Sequence, residues 1–153
     1  MPRPLQPGHS ERVSSSDPAA EGRRRAAEYL TLLGTDDDAA SALLAGLSDV
    51  RELVFLGAGL TAVARAEARL LPPAQRAQAN TRQERLGIVR DANRSDPAGL
   101  RTWLRLAGEE IALIRSQRAI ADRVHASDQE WTATRAAAEA NGTTAASTAA
   151  TTT

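Results

Sequence analysis

The chain has 153 residues, the size of one domain, and its 19 arginines balance 19 aspartates and glutamates. It contains no lysine and no cysteine. This excludes disulfide scaffolds, thiolate metal sites, cysteine nucleophiles, Schiff-base lysines and P-loop lysines. Two histidines are too few for a multi-histidine metal site, and a net charge of zero argues against a general polyanion binder.

The composition favours helices over strands. Apolar residues make up 42% of the chain, about half of them alanine, whereas aromatic residues make up only 3%. Alanine is the strongest helix former, and sheets need more β-branched and aromatic residues. The sequence therefore predicts an all-α fold, a bundle of about five or six helices with disordered N- and C-terminal tails.

The two ends of the chain differ from its middle in composition. Residues 1–16 are rich in proline and serine and contain no apolar stretch of signal-peptide length, so we expect a disordered tail and a cytoplasmic protein. Residues 142–153 contain only Gly, Thr, Ala and Ser, which is typical of a second disordered tail. The helical domain is predicted to span residues 17–141.

Boundary residues mark the first two helices. Helix one begins at Asp17, the N-cap, with Pro18 in the first helical position, and ends at Gly34. Helix two starts at Thr35. Residues 36–38 of its first turn are all aspartates, which the positive end of a helix dipole stabilises.

The next two helices are separated by a pair of prolines. Ser48 or Asp49 caps helix three, which extends to Leu71. Helix four covers about residues 73–93. Helix three is expected to be central and to pack against helix five.

The remaining chain predicts two more helices. Helix five begins after Ser95 or Asp96 and runs to about residue 115 or 125. A last helix occupies about residues 128–140, and Asn141 followed by Gly142 is a typical helix stop.

Helix three contains a glycine pattern that imitates a dinucleotide-binding turn. An apolar run leads into Gly57, Gly59 and Ala62, in the order G-x-G-x-x-A. No acidic residue follows at the end of a second strand, and a parallel sheet has too few candidate strands. Residues 53–64 carry no charge, which predicts a buried helix that is too short to span a bilayer.

Small residues recur along one face of helix three, at Gly57, Thr61, Ala64 and Ala68. Small side chains let another backbone approach closely, and this compensates for the poor helix propensity of glycine. Two interpretations remain open, a packing face inside the domain and an oligomer interface.

Residues 117–131 resemble a helix-turn-helix element of bacterial DNA-binding proteins. Ile120, Val124, Ala126 and Trp131 match its apolar positions, and Ser127 matches the cap of the recognition helix. The resemblance implies that a second helix would enter the DNA groove through the polar face formed by Gln129, Thr132, Ala133 and Arg135. His125 stands at the turn position that usually holds glycine. The alternative is one continuous helix that ends at His125.

Arg118, Asp122 and His125 extend one stripe of the same helix. An Asp-x-x-His pair can hold a metal when a second pair faces it, but this chain has only one. We interpret Arg118 and Asp122 as a structural ion pair and predict no metal site, no cofactor and no catalytic residues.

The segment 72–95 is locally basic, with five arginines against two carboxylates, a net of +3. Arg76, Arg90 and Arg94 share a helix face with Asn80 and Gln83. This face is the best local candidate for an anionic partner, and its alternative is an ordinary solvated surface.

These observations predict a non-enzymatic helical interaction or scaffold protein that self-associates through helix three or a face of helix five. The expected partner is a second copy of the chain or another protein, with no membrane involved. The alternative is a DNA-binding accessory or regulatory protein that uses residues 117–140, with contacts from Arg76, Arg90, Arg94, Arg118, Gln129, Thr132 and Arg135.

Overall fold

A computed structural model describes the backbone of residues 17–150 and the side chains of residues 17–142. In this part of the chain there are five helices and no strand, so the predicted all-α bundle is confirmed. The helices are α1 (Pro18–Leu32), α2 (Asp37–Ala45), α3 (Val50–Ala68), α4 (Pro73–Ala92) and α5 (Pro97–Ala150). The predicted tail of residues 1–16 lies outside the described residues.

Aspartates begin four of the five helices. Each accepts a hydrogen bond from a backbone N–H group two or three residues ahead, at 2.9–3.2 Å. These bonds satisfy donors that a first helical turn leaves unpaired. The capping residues are Asp17, Asp36, Asp49 and Asp96. Between α1 and α2, Gly34 adopts a φ of 87°, a conformation that L side chains rarely adopt.

The expected division between helix five and a last helix is wrong, because α5 continues without a break from Pro97 to Ala150. In the region of the expected turn, polar side chains form contacts within the helix itself. Gln129 Nε2 lies 3.1 Å from His125 Nε2, and the Thr132 hydroxyl donates to the Asp128 carbonyl at 2.8 Å, both across one turn. No residue of this region has a positive φ. The helix also continues through Gly142, where we expected a stop.

Helix α3 is the centre of the bundle, as predicted. It packs against α1 on one side and α5 on the other, and it makes fewer contacts with α4, which lies against α5. The glycine pattern lies inside α3, so the helical interpretation of Gly57 and Gly59 is confirmed. The core is formed by leucine and isoleucine side chains that are almost completely buried: Leu53, Leu56, Leu60, Leu100, Leu104, Ile111 and Ile114.

Tyr29 of α1 contributes the aromatic side chain at one end of this core, where it is 1% exposed. Its ring packs against Gly108 of α5, where any larger residue would collide with it. Burial raises the pKa of the Tyr29 hydroxyl above the ordinary value of 10.0; Arg105 opposes this shift and Glu109 adds to it.

We expect this raised pKa to appear in an absorbance titration, which is specific because the chain has a single tyrosine. The folded protein should form the phenolate at a higher pH than the same chain in denaturant. The stability that the neutral Tyr29 hydroxyl contributes is fully present below the pKa of this group in the unfolded chain. It is lost as the pH rises through the pKa of the group in the folded protein. Identical midpoints in the folded and unfolded chains would contradict the burial of Tyr29.

Candidate functional site

The small residues of α3 face the interior of the protein. Gly57, Ala64 and Ala68 are buried and Thr61 is half-buried. A side chain at position 57 would overlap the indole ring of Trp103, which is itself 3% exposed. The structure thus places this face inside the helical bundle, at the junction of α3 and α5.

Three of these residues, Thr61, Ala64 and Ala68, also line a groove between α3, α4 and α5. Because α4 lies against α5 and makes few contacts with α3, a space of about 570 Å³ remains beside the small residues. We call this space the cationic groove, because four arginines line it. They are Arg65, Arg69, Arg76 and Arg90.

The four arginines differ in what they already bind. Arg76 donates to the Leu71 carbonyl at 3.1 Å, and Arg90 pairs with Asp91 at 3.0 Å. The side chains of Arg65, in the last turn of α3, and Arg69, just after its end, have no ion pair or hydrogen bond to any residue that the structure describes. Two guanidinium groups are therefore available at the groove.

Polar side chains of α4 and α5 complete the lining. The amide nitrogen of Gln83 is shielded from solvent and has no hydrogen-bond acceptor. Glu110 is occupied by Arg82, whose Nε atom lies 2.8 and 3.0 Å from its two carboxylate oxygens. Glu84 also lines the groove. The lining consequently has more positive charge than its carboxylates neutralise.

A second candidate surface is an apolar stripe on the half of α5 that leaves the bundle. From Asp122 to Gly142 every residue is exposed. Four large apolar residues recur at intervals of seven, four and seven, which places them on one helix face. We call this stripe the α5 seam; it consists of Leu113, Ile120, Val124 and Trp131, whose exposed fractions are 42%, 49%, 55% and 69%.

The arginine face that the sequence predicted on helix four is only partly assembled. Arg76 and Arg90 line the groove together with Asn80 and Gln83, but Arg94 does not. Arg94 lies in the exposed turn between α4 and α5. Sequence reasoning missed Arg65 and Arg69, because nothing in the sequence indicated that α4 would leave a space beside α3.

The residues that the helix-turn-helix resemblance assigned to DNA lie on the unbroken α5. An element of this kind needs two helices joined by a turn, and the turn at His125 is absent. Gln129 and Thr132 bond within the helix, and Arg135 pairs with Glu139 at 3.4 Å. Arg118 is half-buried. The two-helix geometry that the resemblance implied is therefore wrong, and the alternative of one continuous helix is correct through His125.

Asp122 and His125 are exposed on α5. Among the residues that the structure describes, no group of three or more histidine or acidic side chains could hold a metal ion. None of the described helices is long and apolar enough to cross a membrane.

No protein family model, curated protein or solved structure matches this chain. Functional conclusions consequently depend on the two surfaces described above.

Proposed function

We propose that this protein is a non-enzymatic helical interaction protein that self-associates, and that two copies pair antiparallel through the α5 seam. The observation that carries the proposal is the row of exposed apolar side chains along α5, from Leu113 at the edge of the bundle to Trp131 on the part of the helix where every residue is exposed. Scattered exposed apolar residues are normal, but a stripe at heptad-like spacing is typical of helix pairing.

The length of the projecting helix supports a partner. Residues 117–142 extend for about 39 Å, at about 1.5 Å per residue. Single helices gain most of their stability by packing an apolar face, not from propensity alone. A second helix on the α5 seam would supply that packing and remove Trp131 from water, a side chain that buries about 150–250 Å².

The spacing of the seam is self-complementary in one antiparallel register. With the twofold axis at Asp122, Ile120 meets Val124 of the second copy, and Leu113 meets its Trp131. The same register places Gln117 opposite Ser127, so the polar positions also face each other. A twofold pair uses the same patch on both copies, which is the usual form of a homodimer.

The charge distribution along α5 also favours the antiparallel arrangement. Residues 115–123 carry three arginines and one aspartate, a net of +2. Residues 128–139 carry three carboxylates and one arginine, a net of −2. In the antiparallel register, residues 115–123 of one copy face residues 121–129 of the other, with a net charge of −1, and residues 128–139 face residues 105–116, with a net charge of zero. Parallel pairing would instead set +2 against +2 and −2 against −2, so the antiparallel arrangement avoids the repulsion between like charges.

The α5 seam continues onto the bundle, where the second copy would contact a depression beside it. A shallow depression of about 340 Å³ lies between α4 and α5, and Leu86, Val89, Leu106 and Leu113 form its apolar lining. In the antiparallel register, Trp131 of the second copy lies over Leu113 at this depression. The apolar contact therefore extends beyond the two projecting helices.

The double substitution Ile120→Gln with Val124→Gln is expected to abolish self-association, because it places four amides in the centre of the interface. Wild-type protein should be dimeric at ~100 µM in sedimentation or light scattering, a concentration at which even ~10⁻⁵ M affinities are visible. Ala119→Gln with Ala126→Gln is the matched control, since both positions are exposed and lie off the seam. A monomeric wild type, or equal effects of the two variants, would contradict the proposal.

Cysteine cross-linking tests the orientation in the same protein, because the chain has no cysteine of its own. In the antiparallel register a Gln117→Cys chain and a Ser127→Cys chain should form a disulfide when mixed and oxidised. Each variant alone should not, because its two cysteines lie ten residues apart, about 15 Å along the helix. Cross-linking within each single variant, with no mixed disulfide between the Gln117→Cys and Ser127→Cys chains in the mixture, would show a parallel pair instead.

A further inference from the structure

We infer that the cationic groove is a binding site for a small organic anion, a molecule with a phosphate or carboxylate group and a short apolar body. This site is separate from the α5 seam, since none of the four seam residues lines it. Its volume of about 570 Å³ lies within the range of about 300–1,000 Å³ found for small-molecule sites.

The charged group of the ligand is indicated by the two arginines that lack partners. Arg65 lies in the last turn of α3, and Arg69, four residues later, is the C-cap residue with a helical backbone conformation, so the two are neighbours on one face of this helix end. A guanidinium group presents parallel N–H donors that match two oxygens of a carboxylate or phosphate. Arg65 and Arg90 also line an adjoining depression of about 280 Å³, which makes them the common edge of the two spaces.

The apolar part of the ligand is indicated by the floor. Leu60, Ala64, Ala68, Trp103 and Ala107 line the groove below the arginines. These side chains are only 0–7% exposed, so the carbon surface that they present to the groove is narrow, and half-buried Leu86 of α4 adds to it. A ligand with a short apolar body would contact this surface and the arginines together, whereas a purely inorganic anion would contact the arginines alone.

A buried donor adds an independent observation. Gln83 is a groove residue whose amide nitrogen is shielded from solvent without an acceptor. An unpaired buried donor is destabilising, and a rotation of the Gln83 amide toward the groove would let an oxygen of a bound anion satisfy it. Glu84 works against anion binding, and its removal should tighten the complex.

The chain's own N-terminal segment does not have the charge of the inferred ligand. Residues 1–16 carry Arg3 and Arg12 against Glu11, a net positive charge. A basic segment would repel the arginines of the groove, so we infer a separate molecule.

Tryptophan fluorescence gives a direct test. The chain has two tryptophans, so Trp131→Phe leaves Trp103 as the single reporter inside the groove. Hexyl phosphate, hexanoate and hexanol would be titrated into this variant at constant ionic strength. We expect at least one of the two anions to change Trp103 emission with a Kd below ~1 mM, and hexanol to bind at least tenfold more weakly. The anion with the lower Kd identifies the preferred charged group as phosphate or carboxylate.

Substitutions in the same background then locate the site. Arg65→Ala with Arg69→Ala should lower the affinity at least tenfold, as expected for losing charge-assisted hydrogen bonds. Glu84→Gln should raise it. Arg23→Ala with Arg94→Ala is the matched control, since both arginines are exposed outside the groove, and should change it less than twofold. Binding of hexanol as tight as that of the anions, no emission change with either anion up to ~10 mM, or equal losses in the two arginine pairs would overturn the inference.

Discussion

Gly22→Ala is expected to lower the free energy of unfolding by at least about 2 kcal/mol, although alanine is the better helix former by about 1 kcal/mol. The reason is the crossing of α1 and α3. A Cβ atom at position 22 would overlap the carbonyl group of Phe55 and lie 3.0 Å from the Phe55 Cβ atom. Because the obstacle is backbone in the middle of a helix, it cannot move away as a flexible side chain could.

The neighbouring glycine of α3 strengthens this expectation. A Cβ atom at Gly59 would lie 2.9 Å from the Gly22 carbonyl oxygen and 2.9 Å from the Ala26 Cβ atom. The two helices therefore approach through glycine on both sides. Any side chain at either position separates them and loosens the leucine contacts that α3 makes on its other faces.

Urea unfolding followed by circular dichroism measures the effect, with Gly87→Ala as the matched control. Gly87 is also inside a helix, but a Cβ atom there would meet nothing nearer than Arg90 Nη2, at 3.8 Å. The same substitution should therefore stabilise the protein by about 0.5–1 kcal/mol. A Gly22→Ala protein as stable as wild type would show that α1 and α3 can separate without losing packing.

Gly22 and Gly59 also show how far the sequence predicts the structure. The helix starts at Asp17 and Asp49 followed from local signals, because a cap depends on a residue and its next three neighbours. Gly22 gave no such signal. Its role depends on which helix crosses it, and a single sequence does not contain that information.

The α5 helix illustrates a different limit. Ser127 and His125 resembled a turn, yet each is compatible with a helix, and local patterns did not decide between the two. Leu106, Leu113 and Ile120 recur at intervals of seven, which is typical of an unbroken helix. The structure agrees with the continuous alternative through His125 but extends the helix to Ala150. Arg65 and Arg69 could not be assigned to a site, because the groove depends on how α4 diverges from α3.

The largest electrostatic effect is expected at the ion pair that joins α4 to α5. Arg82→Met should lower the free energy of unfolding by about 3 kcal/mol, because it leaves Glu110 as a carboxylate without a partner in a position only 7% exposed. Glu110→Gln should cost less, about 1–2 kcal/mol, since the Arg82 side chain is 27% exposed and can turn toward water. The measurement is urea unfolding of each variant at one pH.

The pair Arg115 and Glu67, which joins α3 to α5, is the matched control. Its contact distance is 2.9 Å, close to the 2.8 Å of Arg82 and Glu110, but the Arg115 side chain is 48% exposed. Ion pairs that water reaches contribute about 0–1 kcal/mol, so Arg115→Met should change stability by no more than that. Equal losses in the two arginine variants would show that burial does not set the strength of these pairs.

The double variant Arg82→Met with Glu110→Leu separates the ion pair's own contribution from the penalty of breaking it. Replacing both charges with apolar side chains of similar size should restore stability to within about 1 kcal/mol of wild type. The structure gives a specific reason, since Arg82 Nη2 is buried without an acceptor even when the pair is intact. The wild-type pair is thus incompletely satisfied, and an apolar contact between α4 and α5 removes that unpaired donor together with the charges. A double variant as unstable as Arg82→Met would mean that the ion pair makes a net stabilising contribution to the α4–α5 junction, beyond offsetting the cost of burying its own two charges.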